Sequence, residues 1–402
     1  MKERILFLLL VVSSFLAGCS NSDHHAPSQP GERVSDVPIL LQSDTRFPAY
    51  VSTRAMVNDI TEPDSLGIFC LAREKTGIGG SDDANDVDWN VVLDNTSTGY
   101  GFTTNGIYWS NLACTAVDTG EENAMLEVLP GQDYIWYYPI TSWYGYDFFG
   151  YYPRQQSYVH NSDSVYVDIE TDGYIDILWG RSEKIDNKYA YSARYVKSQE
   201  SSVAHMHFKH SLTQFQFYFV AQKSWNKQEM NADFSQVKNL KIKDVCILDT
   251  YSNLRMVVAN RLDDSRSGAI VPVNRYDMID IALKDSSGTD VSENPIPFSF
   301  STNELGEEVS DTVRVGEGIM VCPNEKEYYM SVCLCDADDP EKEYWSEKRI
   351  TIKLSGDNAR FKSGYIYKIY VTVVGVSTIS IDATLEDWQE ADPDESLKFE
   401  LN

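Results

Sequence analysis

Apolar and polar residues alternate with a period of two along most of this chain, and long stretches with helical periodicity are almost absent. A period of two sends successive side chains to opposite faces of a strand, so that one face can be buried. Clusters of Asn, Asp, Gly and Ser separate these stretches. The pattern predicts many short strands and an all-β fold made of antiparallel β-sandwiches. The clearest predicted strands span 126–128, 165–169, 279–283, 328–334, 350–354, 365–373 and 379–385.

The alternation changes phase within one strand-like segment. Apolar residues occupy even positions from Met206 to Leu212 and odd positions from Phe215 to Phe219. A continuous strand with one buried face cannot change phase in this way, because the buried positions would move to the opposite face. The sequence therefore predicts a bulge or a break near Thr213.

The first nineteen residues indicate export. Lys2 and Arg4 precede an apolar run at 5–16, which is too short to cross a bilayer as a permanent helix. The tetrapeptide at 16–19 (Leu-Ala-Gly-Cys) resembles a bacterial lipobox, in which Cys19 is lipidated and becomes the new N-terminus. An ordinary secretory signal with a chance cysteine is the alternative. The prediction is a lipoprotein signal peptide over residues 1–18.

Composition and polarity divide the mature chain into three parts. Residues 19–38 are rich in Ser, Asp, His and Pro and have little to bury, so they predict a disordered tether. The remaining ~365 residues suffice for two domains. A small polar segment at 197–202 favours domains over 39–200 and 201–402. The one plausible helix spans 225–237.

The acidic charge limits the partners of the protein. The formal net charge is −27 at pH 7. Such a surface repels phosphate backbones and anionic lipid headgroups. No segment after the signal peptide approaches the ~18 consecutive apolar residues of a membrane helix. We therefore expect no nucleic-acid partner, and membrane contact only through lipid on Cys19.

The cysteine usage does not indicate a disulfide scaffold. The sequence has seven cysteines, and six remain when Cys19 is set aside. Six are too few for a scaffold of this length, and several lie in apolar runs, which favours small core residues. Cys333 and Cys335 are two positions apart in a predicted strand, with Cα atoms about 6.6 Å apart. That separation is at the limit of disulfide geometry, so we expect no bond between them.

The sequence lacks the signatures of an enzyme or a metal site. It contains no zinc-peptidase motif, nucleophile elbow, phosphate-binding loop or dinucleotide fingerprint. A calcium-loop-like start at 168–173 fails because its twelfth position is Trp179 instead of Glu. His205 and His207 share one strand face, whereas His210 lies on the apolar face, so the three cannot converge on a metal. We expect no catalytic residues, no metal and no cofactor, with His210 hydrogen-bonded in the core.

An aromatic-rich segment between 134 and 153 leaves two interpretations open. Exposed aromatic rings beside carboxylates can stack on sugar rings. The same residues also suit core and hairpin packing, because strands favour aromatic side chains. The glycan-stacking candidates are Trp136, Trp143, Tyr144 and Tyr146.

Several weak motifs follow one another along the chain. They are the lipobox at Cys19, Ser52–Ala55, Asp64–Phe69, Tyr137–Pro139, Tyr151–Pro153, Asp176–Gly180, Phe208–Thr213 and Ile379–Trp388. Their order resembles that of one known family, the Mfa-like fimbrillin lipoproteins. The resemblance extends over most of the mature chain, and its specificity rests on the order of the motifs.

The resemblance implies a fold and a mode of assembly. It implies two tandem transthyretin-like β-sandwich domains in a fimbrial (pilus) subunit or pilus-associated adhesin. The precursor would be held at the outer membrane by acyl chains such as palmitate on Cys19. An Arg-specific protease would remove an N-terminal strand, and a strand donated by another pilus subunit would fill the groove. Arg54 suits the cleavage better than Arg46, because it ends a polar stretch just before the first predicted core strand.

The resemblance leaves the position in a pilus open. The donated strand is expected within 371–385 or in the tail at 396–401. The protein could be a stalk, tip or anchor subunit, with a host or bacterial surface ligand if it is an adhesin. The alternative function is a permanently lipid-anchored, glycan-binding surface lipoprotein or a pilus anchor.

Overall fold

The structure is a computed structural model, and it confirms the predicted all-β fold. Strands make up nearly all of its regular elements, with one short α-helix among the residues that it describes. These residues are 34–43, 65–73, 111–118, 124–128, 137–139, 145–161, 164–185, 187, 190–199, 203–260, 262–345, 349–354, 359–375 and 378–387.

The first half of the chain supplies eleven strands and the helix. The helix is capped by Ser192, whose side chain accepts a hydrogen bond from the backbone N–H of Tyr195. The elements are β1 (Val34–Pro38), β2 (Leu40–Ser43), β3 (Leu66–Arg73), β4 (Leu112–Asp118), β5 (Ala124–Val128), β6 (Tyr137–Pro139), β7 (Gly145–Tyr152), β8 (Val159–His160), β9 (Ser164–Glu170), β10 (Leu178–Ser182), α1 (Ala193–Lys197) and β11 (Val203–His210).

Seven of these strands form a closed ring. Their order is β10, β11, β2, β5, β4, β3 and β7, and β7 pairs with β10 to complete the ring. Neighbouring strands run antiparallel except for β2 and β11, which run parallel. Large side chains such as Phe69, Phe148 and Tyr151 fill the interior and are fully buried. The transthyretin-like topology of the two halves remains a prediction.

The second half adds sixteen strands and two short 3-10 turns, Asp264–Arg266 and Val291–Glu293. The strands are β12 (Thr213–Ala221), β13 (Ser224–Asn226), β14 (Asn231–Asp233), β15 (Leu240–Tyr251), β16 (Asn253–Asn260), β17 (Ile270–Pro272), β18 (Met278–Ala282), β19 (Ile296–Pro297), β20 (Phe300–Thr302), β21 (Glu308–Ser310), β22 (Val313–Val321), β23 (Glu327–Asp336), β24 (Glu343–Trp345), β25 (Ile350–Lys353), β26 (Tyr365–Gly375) and β27 (Thr378–Asp387).

Two sheets enclose a second core. One has the order β22, β12, β26 and β27, and the other the order β18, β15, β23 and β24, with β19 and β25 at its borders. Phe215 packs edge-on against Phe361, with ring centroids 5.1 Å apart, and Phe361 packs against Tyr367 at 4.8 Å. Edge-to-face contacts of this kind stabilise beyond the area that they bury.

The predicted phase change is confirmed and marks the passage between the two cores. β11 ends at His210 and β12 begins at Thr213. β11 belongs to the ring, whereas β12 pairs with β22 and β26 in the second core. The break therefore lets each strand bury its own alternating face. The domain boundary after residue 200 remains a prediction.

The predicted helix at 225–237 is wrong. The segment forms a hairpin in which Trp225 on β13 pairs with Ala232 on β14. Asn226 ends β13, and its side-chain oxygen accepts hydrogen bonds from the backbone N–H groups of Gln228 and Glu229. Such a local side-chain turn competes with a helix for the same backbone groups.

A hairpin from the second half extends the first core. β16 and β17 form a sheet with β9 and β8, in which β16 pairs antiparallel with β9. The indole N–H of Trp179 donates to the backbone carbonyl of Val258 at 2.7 Å. Arg255 forms two hydrogen bonds with Asp168, both at 2.7 Å. These contacts hold the two halves together beyond the single passage from β11 to β12.

Candidate functional site

The candidate site is the position of β2 in the ring. β2 pairs in parallel with β11, where Leu41 lies opposite Ala204 and Ser43 opposite Met206. On its other side β2 pairs antiparallel with β5, where Leu41 lies opposite Leu126. Within the described part of the chain, β2 is the only strand that joins β11 to β5. We refer to the space that β2 occupies between these two strands as the β2 slot.

Alternate residues of this segment point into the first core. Val37, Ile39 and Leu41 are 5%, 6% and 1% exposed, and Ser43 is fully buried. Complete burial of a Val, Ile or Leu side chain stabilises a fold by about 1.5–3 kcal/mol. The segment is therefore an integral part of the first core and closes it.

The position of β1 corrects the predicted tether at its end. The tether was expected to extend to residue 38, but Val34–Pro38 forms β1 and pairs with β6. The alternation of Val37, Ile39 and Leu41 could have revealed this strand. Its partner could not be read from the sequence, because β6 lies far along the chain.

The covalent connection of β2 to the ring passes through residues 44–64. This segment leads from β2 to β3 and contains both candidate cleavage sites, Arg46 and Arg54, which lie outside the described residues. A cut after either arginine leaves β1 and β2 without a peptide bond to the rest of the ring. The backbone edges of β11 and β5 would then depend on non-covalent contact with β2.

Of the four predicted glycan-stacking residues, the structure describes only Tyr146, and this residue is buried. Tyr146 is 1% exposed and stacks against buried Tyr138, with ring centroids 6.1 Å apart. A ring buried in this way cannot receive a sugar, so the prediction is wrong for Tyr146. Trp136, Trp143 and Tyr144 lie outside the described residues, as does the lipidation candidate Cys19.

The three histidines of β11 lie on the two opposite faces of the strand, as predicted. The Nδ1 atom of His210 lies 2.8 Å from a carboxylate oxygen of Asp176, which confirms a hydrogen-bonded His210. His205 and His207 lie on the other face of β11, where His207 is exposed. No group of three or more His, Cys, Asp or Glu side chains within the described ranges could hold a metal ion.

The cysteines are unreactive by environment. Cys70, Cys114, Cys246, Cys322, Cys333 and Cys335 are all free thiols, and only Cys246 is not fully buried. Burial raises the pKa of Cys322 to about 12, and burial together with Asp244, Asp280 and Asp290 raises that of Cys246 to about 12. A raised pKa keeps a thiol protonated at neutral pH, so neither Cys322 nor Cys246 is an activated nucleophile. Cys333 and Cys335 are both free thiols in the structure.

Within the part of the chain that the structure describes, no helix is long and apolar enough to cross a bilayer.

Solved structures of low identity cover most of the chain. A protein assigned to cell adhesion from Bacteroides uniformis is 15% identical, with a TM-score of 0.45, over 89% of this chain and 100% of that one. A fimbrial protein from Bacteroides vulgatus is 11% identical, with a TM-score of 0.46, over 88% and 100%. The fimbrial anchor protein Mfa2 from Porphyromonas gingivalis is 7% identical, with a TM-score of 0.28, over 87% and 99%. No curated protein matches the chain significantly.

The fold and the β2 slot define an all-β protein whose N-terminal strand completes its first core. The family model described as fimbrillin-like matches residues 53–388, which is most of the chain. The chain belongs to the fimbrillin-like family, as its motif order predicted. Membership of this family makes it a pilus-associated protein of the cell surface.

Proposed function

We propose that this protein is a fimbrial subunit or pilus-associated adhesin that is exported as a lipoprotein and assembles by strand exchange after Arg-specific proteolysis. The observation that carries the proposal is the position of β2. The strand is buried in the ring between β11 and β5, yet residues 44–64 form its only covalent connection to the strands that follow.

Cleavage converts a closed ring into an acceptor. Once the chain is cut after Arg54 or Arg46, β1 and β2 can leave as one piece. Their departure exposes unpaired backbone groups on β11 and β5 and empties the positions of Val37, Ile39 and Leu41. An extended strand with alternating apolar residues satisfies both needs at once, because it restores the ladder and refills the core.

The tail of a second copy is the better donor of the two candidate segments. The first candidate, 371–385, spans the end of β26 and most of β27. β26 pairs with β12 on one side and β27 on the other, and Val371 and Val373 are fully buried. Donation of 371–385 would therefore dismantle the second core. The tail at 396–401 alternates Leu397, Phe399 and Leu401, which is the spacing of the buried residues around β2.

The lipid on Cys19 gives the precursor its location. Cleavage after Arg54 would separate the protein from Cys19 and release it from the outer membrane into the fimbrium. A chain that escapes cleavage would stay anchored at the surface, as a pilus anchor or a glycan-binding lipoprotein does. Because Tyr146 is buried, a glycan-binding role would have to use the rings of Trp136, Trp143 and Tyr144.

The proposal assigns no catalytic role to the protein. Its partners are other pilus subunits, the outer-membrane lipid before cleavage, and a surface ligand if the subunit is adhesive. Assembly by strand exchange needs no cofactor, because backbone hydrogen bonds and apolar burial supply the free energy.

The N-terminus of the protein in fimbrial material from its host tests the proposal. Mass spectrometry is expected to find chains that begin at Ala55, or at Phe47, in the polymer fraction. Chains that all retain lipidated Cys19 with intact Arg46 and Arg54 would contradict assembly by cleavage and would favour the anchored alternative.

A further inference from the structure

The hairpin formed by β4 and β5 depends on β2 for half of its ladder contacts to the ring. β5 pairs with β2 through three residue pairs, at Leu41, Gln42 and Ser43. β4 pairs with β3 through three residue pairs, at Leu66, Gly67 and Ile68. When β2 leaves, the described ladder between this hairpin and the ring falls to the three pairs with β3. The hairpin is also one wall of the β2 slot, so its position decides whether the slot stays open.

A second attachment of the hairpin begins at Asn111, the residue before β4. Asn111 is 4% exposed, and its φ angle of 58° places it in the left-handed region, which asparagine tolerates. Its side-chain oxygen accepts a hydrogen bond from the hydroxyl of Tyr151 at 2.7 Å, and its amide donates to the backbone carbonyl of Gln155 at 2.7 Å. Its own backbone carbonyl accepts from the guanidinium of Arg154 at 2.9 Å.

The partners of Asn111 lie on and after β7, which does not pair with β2 among the described strands. Tyr151 is fully buried near the end of β7, and its hydroxyl also accepts from the backbone N–H of Gln155 at 3.0 Å. The backbone N–H of Arg154 donates to the carbonyl of Ser65, just before β3. The network therefore connects the start of β4 to the end of β7 and to the start of β3.

The space around this network is closely fitted. A Cβ atom on Gly67 would lie 2.3 Å from the ring of Tyr151 and 2.6 Å from the side-chain oxygen of Asn111. Only glycine at this position allows the tyrosine and the asparagine to meet beside β3. We call the four residues Asn111, Tyr151, Arg154 and Gln155 the Asn111 clasp.

We propose that the Asn111 clasp holds the β4–β5 hairpin in place while the β2 slot is empty, so that the slot stays open for an incoming strand. Asn111 and Tyr151 are then positioning residues for strand exchange. The inference rests on the proposed function, because it concerns the interval between loss of β2 and arrival of the donated strand. Three ladder pairs at the border of an open sheet would otherwise let the hairpin fray or collapse onto the vacant core.

The test uses the full chain with a specific protease site placed within residues 47–53. Two variants remove the clasp. Tyr151→Phe deletes the hydroxyl, and Asn111→Gly deletes the amide while it permits the positive φ. Tyr191→Phe is the matched control, because its buried hydroxyl donates to the carbonyl of Glu183 and has no part in the clasp.

Amide hydrogen exchange is measured in 112–118 and 124–128 before and after cleavage, with release of β2 followed through exchange in 34–43. Before cleavage, all variants are expected to protect the hairpin as the unmodified chain does. After release of β2, both clasp variants are expected to exchange about tenfold faster in the hairpin than the cleaved parent, and to polymerise correspondingly more slowly. Tyr191→Phe is expected to follow the parent.

Two different results separate this inference from the proposed function. Equal hairpin protection in the cleaved parent and both cleaved clasp variants would overturn the clasp, whether or not the parent polymerises. A cleaved parent that keeps an ordered hairpin but never polymerises would contradict strand exchange. In that case, the difference in hairpin hydrogen exchange between the parent and the clasp variants would still test the clasp.

Discussion

Leu41 on β2 lies directly opposite Ala204 on β11, in parallel register, and both side chains are buried. A strand that precedes the cleavage candidates thus has its inward side chains buried in the first core. Its removal has a cost that a disordered leader would not have. The free energy lost on removal is the free energy that a donated strand can restore.

The contribution of β2 can be measured at one side chain. Leu41→Ala is expected to lower the free energy of unfolding of the full chain by about 2–5 kcal/mol, because it leaves a cavity in the ring. Gln42→Ala is the neighbouring control, since Gln42 lies on the outward face of β2, and it is expected to change stability by no more than about 0.5 kcal/mol. Urea denaturation gives both values, and equal losses would contradict an integral β2.

The buried hydrogen bond between Trp179 and Val258 predicts that Trp179→Phe destabilises the fold more than Trp345→Phe does. Trp179→Phe leaves the buried carbonyl of Val258 without its indole donor and is expected to cost about 1–3 kcal/mol. Trp345→Phe removes an indole donor to Glu343, but Trp345 is 48% exposed and water can replace it. Thermal unfolding of both variants makes the comparison, and similar melting temperatures would show that Trp179 does not join the halves.

The pKa of Cys322 predicts a pH dependence of stability. Burial raises the pKa of this thiol to about 12 in the folded protein, whereas an unfolded cysteine has a pKa of about 8.5. The raised folded value means that stability is fully present below pH ~8.5 and is lost as the pH rises towards 12, by up to about 1.4 kcal/mol per pH unit.

Cys322→Ala isolates this effect from the ionisation of other groups. Between pH 8.5 and pH 10, the parent is expected to lose about 2 kcal/mol more stability than Cys322→Ala. Urea midpoints at the two pH values provide the measurement. Parallel losses in the two proteins would mean that the thiol ionises in the folded state as readily as in the unfolded state.

The two cleavage candidates predict different phenotypes in the host. Arg54→Ala is expected to leave the protein lipid-anchored and absent from fimbriae, whereas Arg46→Ala is expected to mature normally. Surface fractionation followed by mass spectrometry of the N-terminus distinguishes them. Normal maturation of Arg54→Ala together with failure of Arg46→Ala would move the cleavage site to Arg46.

The alternation of apolar and polar residues predicted strands correctly where a strand buries one of its faces. The phase change between Leu212 and Phe215 located the passage from the ring to the second core, because each side alternates towards its own interior. The same reasoning failed at 225–237. The chain forms a hairpin there instead of the predicted helix, because of the turn at Asn226 and the pairing of Trp225 with Ala232.

Long-range partners set the limit of the sequence analysis. The motif at Asp176–Gly180 pointed to Trp179, but its acceptor Val258 is 79 residues away and belongs to the second half. The parallel pairing of β2 with β11 was equally inaccessible, since the two strands are separated by most of the first half. Alternation states that a strand is buried on one face, but it does not identify the neighbouring strand.

A reversible lock on β2 tests strand exchange most directly. Gln42 and His205 are register partners on β2 and β11, and neighbouring strands lie about 4.8 Å apart, within reach of a disulfide. The double variant Gln42→Cys/His205→Cys is oxidised, cleaved between β2 and β3, and followed by light scattering before and after addition of a reductant. We expect monomers while the disulfide holds β2 and polymers once it is reduced, with Gln42→Cys alone polymerising under both conditions. Polymerisation of the oxidised, locked protein at the same rate would contradict assembly through the β2 slot.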